Sequence, residues 1–196
     1  MNKKIAVFVS GGGTDLQSII DAVVDKSLKA DIVLVVGSKE GIYALERAKK
    51  AGIPTAVFSK KDYSSTEAMF DEIIALLKEK GAEYIVLAGY LTVLTPNIVH
   101  AFEKKIINIH PSLIPSYCGD GFYGMRVHRA VVENKEKFSG ATVHYVDEGT
   151  DTGEIIAQVK VPVMEDDTPE TLAARVLEAE HILLPETLKK LFNGQE

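Results

Sequence analysis

The sequence contains little cysteine, no excess of positive charge and no long apolar run. A single cysteine, Cys118, occurs among its 196 residues, which excludes an internal disulfide framework and a cysteine-cluster metal site and favours a reducing compartment. The formal net charge of −6 argues against a surface that binds nucleic acid by neutralising phosphates. The 46% apolar and 26% charged residues are typical of one globular domain with a substantial core.

The apolar runs are too short for a signal peptide or a membrane span. Ile5–Val9 stops at Ser10 and three glycines, so it is too short for a signal-peptide core. The uncharged stretch from Tyr84 to Phe102 contains Gly89, Pro96 and Asn97, which predicts a strand, a loop and a short helix. We therefore expect a cytoplasmic protein with no membrane partner. No repeat or linker interrupts residues 1–196, so we expect a single domain.

Strands and helices alternate through the first half of the chain. Apolar runs predict strands at 3–10, 31–37, 54–58, 84–87 and 106–109, with helical periodicity between most of them. Strands joined by helices pair in parallel with right-handed crossovers. The predicted fold class is therefore α/β, a doubly wound and mostly parallel sheet with helices on both faces. The second half adds two strands near 142–146 and 155–163 and a last helix, which we expect Pro185 to kink or interrupt.

A glycine loop, Gly11–Gly13, lies between the first strand and a helix whose apolar residues recur over 16–24. Thr14 and Asp15 then lie at a helix N-terminus, where backbone N–H groups and the helix dipole favour an anion. The motif fits neither a nucleoside triphosphatase nor a nicotinamide site, so it favours a mononucleotide or sugar phosphate. A turn that serves only tight packing is the alternative. Asp15 would repel a phosphate unless it turns away or caps the helix.

Asn108 and His110 end an apolar strand that meets Pro111. Side chains at i and i+2 share one face of a strand, so both point the same way, at the sheet edge where doubly wound proteins bind ligands. An amide beside an imidazole can polarise a carbonyl and stabilise the oxyanion that forms when an amine attacks it. A surface or structural histidine is the alternative. Asp151, about forty residues further on, is the third polar candidate.

Five segments together resemble a known family. They are residues 10–17, 86–90, 108–115, 140–144 and 147–153, and in this order, over nearly the whole chain, they are similar to the phosphoribosylglycinamide (glycinamide ribonucleotide, GAR) formyltransferases of the folate-dependent formyltransferase superfamily. The segment around Asn108 and His110 with a downstream aspartate is specific to that superfamily. The resemblance implies transfer of the formyl group of 10-formyltetrahydrofolate to the amine of GAR, giving formyl-GAR and tetrahydrofolate in de novo purine biosynthesis, with no metal.

The resemblance also implies a role for each matching residue. The catalytic residues would be Asn108, His110 and Asp151. GAR would be bound by Gly12, Gly13, Thr14, Asp15 and Glu180. The folate would be bound by Leu91, Thr92, Val93, Leu94, Asn108, Asp147, Glu148, Gly149, Thr150 and Asp151. Residues 1–100 would thus form the phosphate- and GAR-binding half and residues 101–196 the catalytic and folate-binding half.

The same assignments indicate which partners the protein has and which role His144 plays. The expected partners are GAR and 10-formyltetrahydrofolate, without nucleic acid, and the chain could be a monomer or a homodimer. His144, on an alternating strand, is expected to have a structural or supporting role.

The sequence departs from the family pattern at several positions. Asp15 stands where the family usually has Asn, and Thr66 and Thr92 stand where many members have Arg. We therefore expect fewer charge contacts to the substrate or to the folate tail but the same reaction. The loop 116–126 is a few residues longer than in the commonest form. Its thiol, Cys118, is expected to be inert because no Cys-His pair is evident.

Three other functions stay open. Methionyl-tRNA formyltransferase shares the core but would need a further C-terminal domain and a basic surface for tRNA. Formyltetrahydrofolate deformylase, which passes the formyl group to water, would be expected to carry an N-terminal regulatory domain. We expect neither extension here. A phosphate- or nucleotide-binding module with the same fold would not need Asn108, His110 and Asp151.

Overall fold

Strands and helices alternate along residues 1–194, the part of the chain that the computed structural model describes. The strands are β1 (Lys3–Val9), β2 (Ala30–Gly37), β3 (Thr55–Val57), β4 (Tyr84–Leu87), β5 (Ile106–His110), β6 (Phe138–Tyr145) and β7 (Ile155–Pro162). The α-helices are α1 (Thr14–Val24), α2 (Tyr43–Lys50), α3 (Thr66–Glu79), α4 (Pro96–Ala101), α5 (Met125–Glu133) and α6 (Pro169–Phe192). The bounds agree with the predicted strands to within a few residues.

The strands form one seven-stranded sheet in the order β3-β2-β1-β4-β5-β6-β7. The pairs among the first five strands are parallel, as helical crossovers require. The pairs β5–β6 and β6–β7 are antiparallel. The sheet is therefore mostly parallel with helices on both faces, and the predicted fold class is confirmed.

Each face of the sheet carries its own apolar core. Alternation along β1 sends Ile5, Val7 and Val9 to one face, where they pack with apolar residues of α1, α2, α5 and α6. Ala6 and Phe8 point to the other face, where they pack with α3 and α4. Because both faces of the central strands are buried, these strands have nearly continuous apolar sequences.

Helix α6 is continuous through Pro185, so of the two expected effects the interruption is wrong, whereas the kink stays a prediction. Proline removes one backbone hydrogen bond from a helix interior. The neighbouring Leu184 and Leu188 are fully buried in the core, and this packing maintains the helix across the lost bond. At its N-terminus, Thr168 and Thr171 form a reciprocal capping box. Among residues 1–194, no helix has the length and apolar character needed to cross a membrane.

Candidate active site

A cavity of about 770 Å³ lies where β4 and β5 end. Its walls include the end of β5, the loop after β4 and the loop between β6 and β7. These segments bring together all the residues predicted to be catalytic or to bind folate, together with Asp15 and Glu180. Gly12 and Gly13 do not line this cavity, and Thr14 lines a neighbouring groove of about 500 Å³.

Asn108 is oriented by a histidine on the adjacent strand. The antiparallel register of β5 and β6 places His144 directly opposite Asn108, and the Asn108 amide Nδ2 lies 3.1 Å from His144 Nε2. His144 Nδ1 donates to the carbonyl oxygen of Tyr145 at 2.8 Å, which leaves Nε2 as the acceptor for the amide. Burial lowers the pKa of His144 and so favours this neutral form. The second N–H of Asn108 is thereby available to a ligand.

His110 is held by a backbone carbonyl. Its side chain is 7% exposed, and its Nε2 donates to the carbonyl oxygen of Tyr117 at 2.9 Å. Its Nδ1 lies 3.6 Å from Asp151 Oδ2, which is longer than a direct hydrogen bond. Tyr117 therefore orients the ring, and Nδ1 is the ring nitrogen that faces Asp151.

Asp151 is fixed in the cavity wall by its backbone and its carboxylate. Its φ is 58°, in the left-handed region that non-glycine residues adopt rarely and that Asp tolerates better than most. Oδ2 accepts the backbone N–H of Gly119 at 2.9 Å, while Oδ1 lies 3.7 Å from His144 Nε2. The Asp151 carboxylate therefore lies between His110 of β5 and His144 of β6.

The loop 116–126 contacts both His110 and Asp151 through its backbone. It supplies the Tyr117 carbonyl to His110 and the Gly119 N–H to Asp151. The Tyr117 ring packs edge-on against the Phe122 ring, with 5.8 Å between the ring centroids. This contact joins two parts of the same loop. Cys118 in the same loop donates to the Pro115 carbonyl at 3.3 Å. Burial, and secondarily the charge of Asp151, raise the pKa of this thiol, so it is protonated at neutral pH, in keeping with the expected inert cysteine.

The glycine loop is braced by helix α2. Gly13 is the N-cap of α1 with a φ of 71°, and a Cβ at this position would lie 2.5 Å from the Ala44 Cβ, so only glycine fits. Arg47 Nε donates to the Gly12 carbonyl at 2.8 Å and its Nη1 donates to Gln17 at 3.1 Å. With the loop carbonyls turned to α2, the start of α1 can present its backbone N–H groups to an anion.

Asp15 turns away from the glycine loop and into the large cavity. Its side chain is 13% exposed, and its Oδ1 lies 3.8 Å from His181 Nε2. It does not cap α1, whose N-terminus has no side-chain cap. Burial raises the pKa of Asp15 to about 6, against the opposing effect of His181. Glu180 lines the same cavity and is 7% exposed, so two buried carboxyl groups belong to its wall.

Exposed apolar side chains also line the cavity. Leu91 and Val93 are 63% and 68% exposed, and both line the cavity together with Tyr123 and Met125 of the long loop. Thr92 lies between the two exposed residues and carries no charge. Such exposed apolar side chains can pack against a flat ring system.

Several residues of the site were missed by the sequence analysis. His128 lines the cavity from α5 and is 5% exposed, and its Nδ1 has no hydrogen-bond partner among the described residues. Burial, then the charge of His110, lower the pKa of His128. Tyr117 and Gly119 act through backbone atoms, which no sequence pattern marks. Arg47 lies on the polar face of α2, and from the sequence such a face is predicted only to be exposed to solvent.

The arrangement of His, Cys, Asp and Glu side chains determines whether a metal site is possible in the described part of the chain. No group of three or more His, Cys, Asp or Glu side chains is arranged to hold a metal ion there. The absence of a metal from the reaction stays a prediction.

Comparison with known proteins gives a consistent result. Residues 3–188 match the formyl transferase family model. The chloroplastic phosphoribosylglycinamide formyltransferase of Arabidopsis thaliana is 43% identical over 95% of this chain and 64% of that protein. The phosphoribosylglycinamide formyltransferase of Haemophilus influenzae is 42% identical over 98% of this chain and 89% of that protein.

A solved structure is similar to this chain in both fold and sequence. Glycinamide ribonucleotide transformylase 1 of Geobacillus kaustophilus superposes with a TM-score of 0.92 at 40% identity, covering 98% of this chain and 100% of that one. The chain spans less than two thirds of the length of the plant relatives that it matches. The family match extends over both halves of the sheet and over every segment that forms the cavity. The chain therefore belongs to the formyl transferase family, in its phosphoribosylglycinamide formyltransferase branch.

Proposed function

We propose that the chain transfers the formyl group of 10-formyltetrahydrofolate to the amine of GAR, giving formyl-GAR and tetrahydrofolate in de novo purine biosynthesis. One observation carries this proposal: Asn108, His110 and Asp151 converge in one cavity whose wall also holds the carboxyl groups of Asp15 and Glu180 and several exposed apolar side chains. Such a cavity can bind a polar amine substrate and a flat ring system close to a reacting carbonyl.

Asn108 and His110 would stabilise the developing oxyanion. When the amine attacks the formyl carbon, the carbonyl oxygen gains negative charge. The amide N–H of Asn108 that His144 leaves free can donate to this oxygen. His110 Nδ1 faces the same cavity, because Tyr117 holds Nε2, and when protonated it can donate the second hydrogen bond.

Asp151 would transfer a proton from the attacking amine to the leaving folate nitrogen. The amine nitrogen must lose a proton after attack, and the folate nitrogen must gain one before the bond between the formyl carbon and that nitrogen breaks. The Asp151 carboxylate lies 3.6 Å from His110 Nδ1 and lines the cavity, so it can contact a water that is bound beside the reacting atoms. It can accept the first proton through water and return it to the leaving nitrogen.

The two substrates would occupy opposite parts of the site. The phosphate of GAR would lie at Gly12, Gly13 and Thr14, at the N-terminus of α1. Its amino side would extend past Asp15 and Glu180 toward Asn108. The folate would lie on residues 91–94 and on the loop 147–151, with Thr92 in place of a cation at the tail.

The remaining predictions follow from this assignment. Both partners are small molecules, and we propose that neither nucleic acid nor a metal takes part. A cytoplasmic location stays a prediction, based on the single cysteine. A monomer and a homodimer are both compatible with the site.

The test is the release of tetrahydrofolate from 10-formyltetrahydrofolate, followed by absorbance with and without GAR. Turnover that depends on GAR is expected, and Asn108→Ala should abolish most of it. Asn134→Ala, at the exposed C-cap residue of α5 outside the cavity, is the matched control. Release without GAR would indicate a hydrolase, and no release in either condition would indicate a binding module.

A further inference from the structure

The register of the last three strands places three polar side chains side by side on the sheet. His110 of β5 lies opposite Thr142 of β6, and Thr142 lies opposite Gln158 of β7. Residues directly opposite each other in antiparallel strands share one face of the sheet. The side chains of Thr142 and Gln158 both bond to the segment that follows β5, residues 112–116. The row of three residues and this segment therefore lie together on one face.

The Thr142 hydroxyl makes three hydrogen bonds inside the protein. Thr142 is 0% exposed. Its Oγ1 donates to the Ser112 carbonyl at 2.7 Å and accepts the backbone N–H of Ile114 at 3.1 Å. Oγ1 also accepts Nε2 of Gln158 at 2.9 Å. Because a hydroxyl has one donor and two acceptor positions, all of its capacity is used, and none is left for a ligand.

Gln158 fastens the same segment from β7. Its Nε2 also donates to the Ile114 carbonyl at 2.9 Å, so one side-chain amide bonds to both the Thr142 hydroxyl and the segment. Apolar packing adds to these bonds, because a Cβ at Gly140 of β6 would lie only 2.7 Å from Cδ2 of Leu113. The 112–116 segment is therefore held directly against β6 and β7.

The 112–116 segment leads into the group that orients His110. Ser112 Oγ donates to the Ser116 carbonyl at 2.6 Å, so the two ends of the segment are joined to each other. The Ser116 carbonyl belongs to the peptide bond that precedes Tyr117, and the Tyr117 carbonyl accepts Nε2 of His110 at 2.9 Å. The position of this acceptor relative to the imidazole therefore depends on where the segment is held.

We propose that Thr142 and Gln158 are positioning residues for His110. They hold the 112–116 segment against the sheet, and the segment holds the Tyr117 carbonyl. Since the hydrogen bond of one ring nitrogen determines the tautomer of a histidine, neutral His110 keeps its hydrogen on Nε2 and leaves Nδ1 directed at the reacting atoms. Neither residue nor the segment is part of the cavity wall, so both act through His110 and not on a ligand. The importance of His110 for turnover rests on the proposed function, whereas its tautomer is a property of the protein alone.

Nitrogen NMR of the histidine-labelled protein tests the tautomer without any turnover. In neutral histidine the nitrogen that carries the hydrogen and the one that does not give separate signals, and His110→Gln identifies the pair that belongs to His110. The wild type should show the hydrogen on Nε2. In Thr142→Val, which keeps the shape of the side chain but lacks the hydroxyl, the two signals should move toward each other as the second tautomer is populated. Thr142→Ser should restore the wild-type signals, and unmoved signals in Thr142→Val would overturn the proposal.

Gln158→Leu gives a second test at a position where a substitution is compatible with folding. Gln158 is exposed on the edge strand β7, and its loss leaves the Thr142 hydroxyl bonded to the segment. The His110 signals should therefore move in the same direction as in Thr142→Val, but less. Lys160→Leu, two residues along on the same face of β7, is the matched control and should leave them unmoved. If Thr142→Val does not fold, unmoved signals in Gln158→Leu overturn the proposal.

Steady-state kinetics relate the tautomer to turnover. Thr142→Val should lower kcat by about tenfold to a hundredfold, because a misplacement of about 1 Å at a reacting group costs up to about a hundredfold. The KM values for both substrates should change by less than about threefold, since only the transition state is affected. Thr142→Ser should recover most of the rate.

Thr187→Val is the control for the loss of a buried threonine hydroxyl. Thr187 is 3% exposed on α6, outside the cavity wall, and its Oγ1 donates to the Leu183 carbonyl at 2.7 Å. This variant should keep the wild-type kcat. A raised KM with unchanged kcat in Thr142→Val would contradict this inference alone. No GAR-dependent turnover in the wild type would instead contradict the proposed function, and the tautomer measurement would still decide the positioning role.

Discussion

Asn108 and His144 face each other across the antiparallel strands β5 and β6, with the amide Nδ2 and the imidazole Nε2 3.1 Å apart. The histidine accepts one amide hydrogen because its own Nδ1–H is donated to the Tyr145 carbonyl. This bond determines which end of the Asn108 amide faces the cavity. If His144 were absent, the amide could rotate and present its oxygen, an acceptor that would repel the oxyanion.

Replacing His144 should therefore reduce turnover more than binding. We expect His144→Phe to lower kcat by about tenfold to a hundredfold, because a misoriented oxyanion donor costs stabilisation only in the transition state. The KM values for both substrates should change by less than about threefold. His144→Gln, which restores an acceptor, should recover part of the rate. Equal losses in both variants, with unchanged unfolding midpoints, would show that the acceptor is irrelevant.

Asp151→Asn separates the charge of this residue from its geometry. Asn tolerates the left-handed φ of 58° and can still accept the Gly119 N–H. We expect formyl transfer to slow by at least about a hundredfold, as for loss of an acid-base or electrostatic group, as measured by single-turnover kinetics. Asp120→Asn in the facing loop is the control for charge at the cavity. Near-normal turnover in Asp151→Asn would remove Asp151 from the mechanism.

Arg47 is expected to support the binding of GAR without touching the reaction. Its guanidinium fixes the Gly12 carbonyl and lies 4.8 Å from the centroid of the Tyr43 ring. Arg47→Ala should raise the KM for GAR by about tenfold and leave kcat within about twofold, the pattern for loss of uniform binding. Lys50→Ala is the matched control, because Lys50 also approaches Tyr43, at 5.5 Å, without contacting the loop. A fall in kcat with unchanged KM would contradict this role.

The Asp167–Arg175 ion pair should make stability depend on pH in acid. Arg175 donates to both Asp167 oxygens at 2.6 and 2.8 Å, and this hydrogen bonding lowers the pKa of Asp167. Because the folded pKa is depressed, the stabilisation is fully present above the unfolded value of about 3.9 and is lost as pH falls through the folded value.

Asp167→Asn should lower the free energy of unfolding by about 1 to 2 kcal/mol at neutral pH. The difference from the wild type should shrink below about pH 4, as measured by urea unfolding across pH. Lys49→Ala, which breaks an exposed pair with Glu46, should change stability by less than about 0.5 kcal/mol. A constant difference for Asp167→Asn down to low pH would show that the carboxylate charge contributes nothing.

The sequence was informative where chemistry follows from local pattern. Apolar periodicity located the strands, and the i, i+2 relation placed Asn108 and His110 together in the cavity. The role proposed for Asp151 came from resemblance to a family, since nothing local distinguishes this residue from its neighbours. The outcome for Asp15 was one of the predicted alternatives: it turns away from the phosphate loop.

The supporting contacts could not be predicted because they depend on long-range geometry. His144 meets Asn108 only through the register of an antiparallel pair, which separates the two residues by 36 positions. Tyr117 and Gly119 act through a carbonyl and an amide N–H that every residue carries. Pro185 does not interrupt its helix because burial of the helix in the core outweighs the local cost of proline.

The most direct measurement follows an isotopic label from the formyl group of 10-formyltetrahydrofolate. Incubated with the protein and GAR, the label should appear in formyl-GAR in proportion to the tetrahydrofolate released, and the Asn108→Ala and Asp151→Asn variants should transfer it at least about a hundredfold more slowly. Label recovered as free formate, or equal transfer by the wild type and both variants, would contradict the proposed reaction at this site.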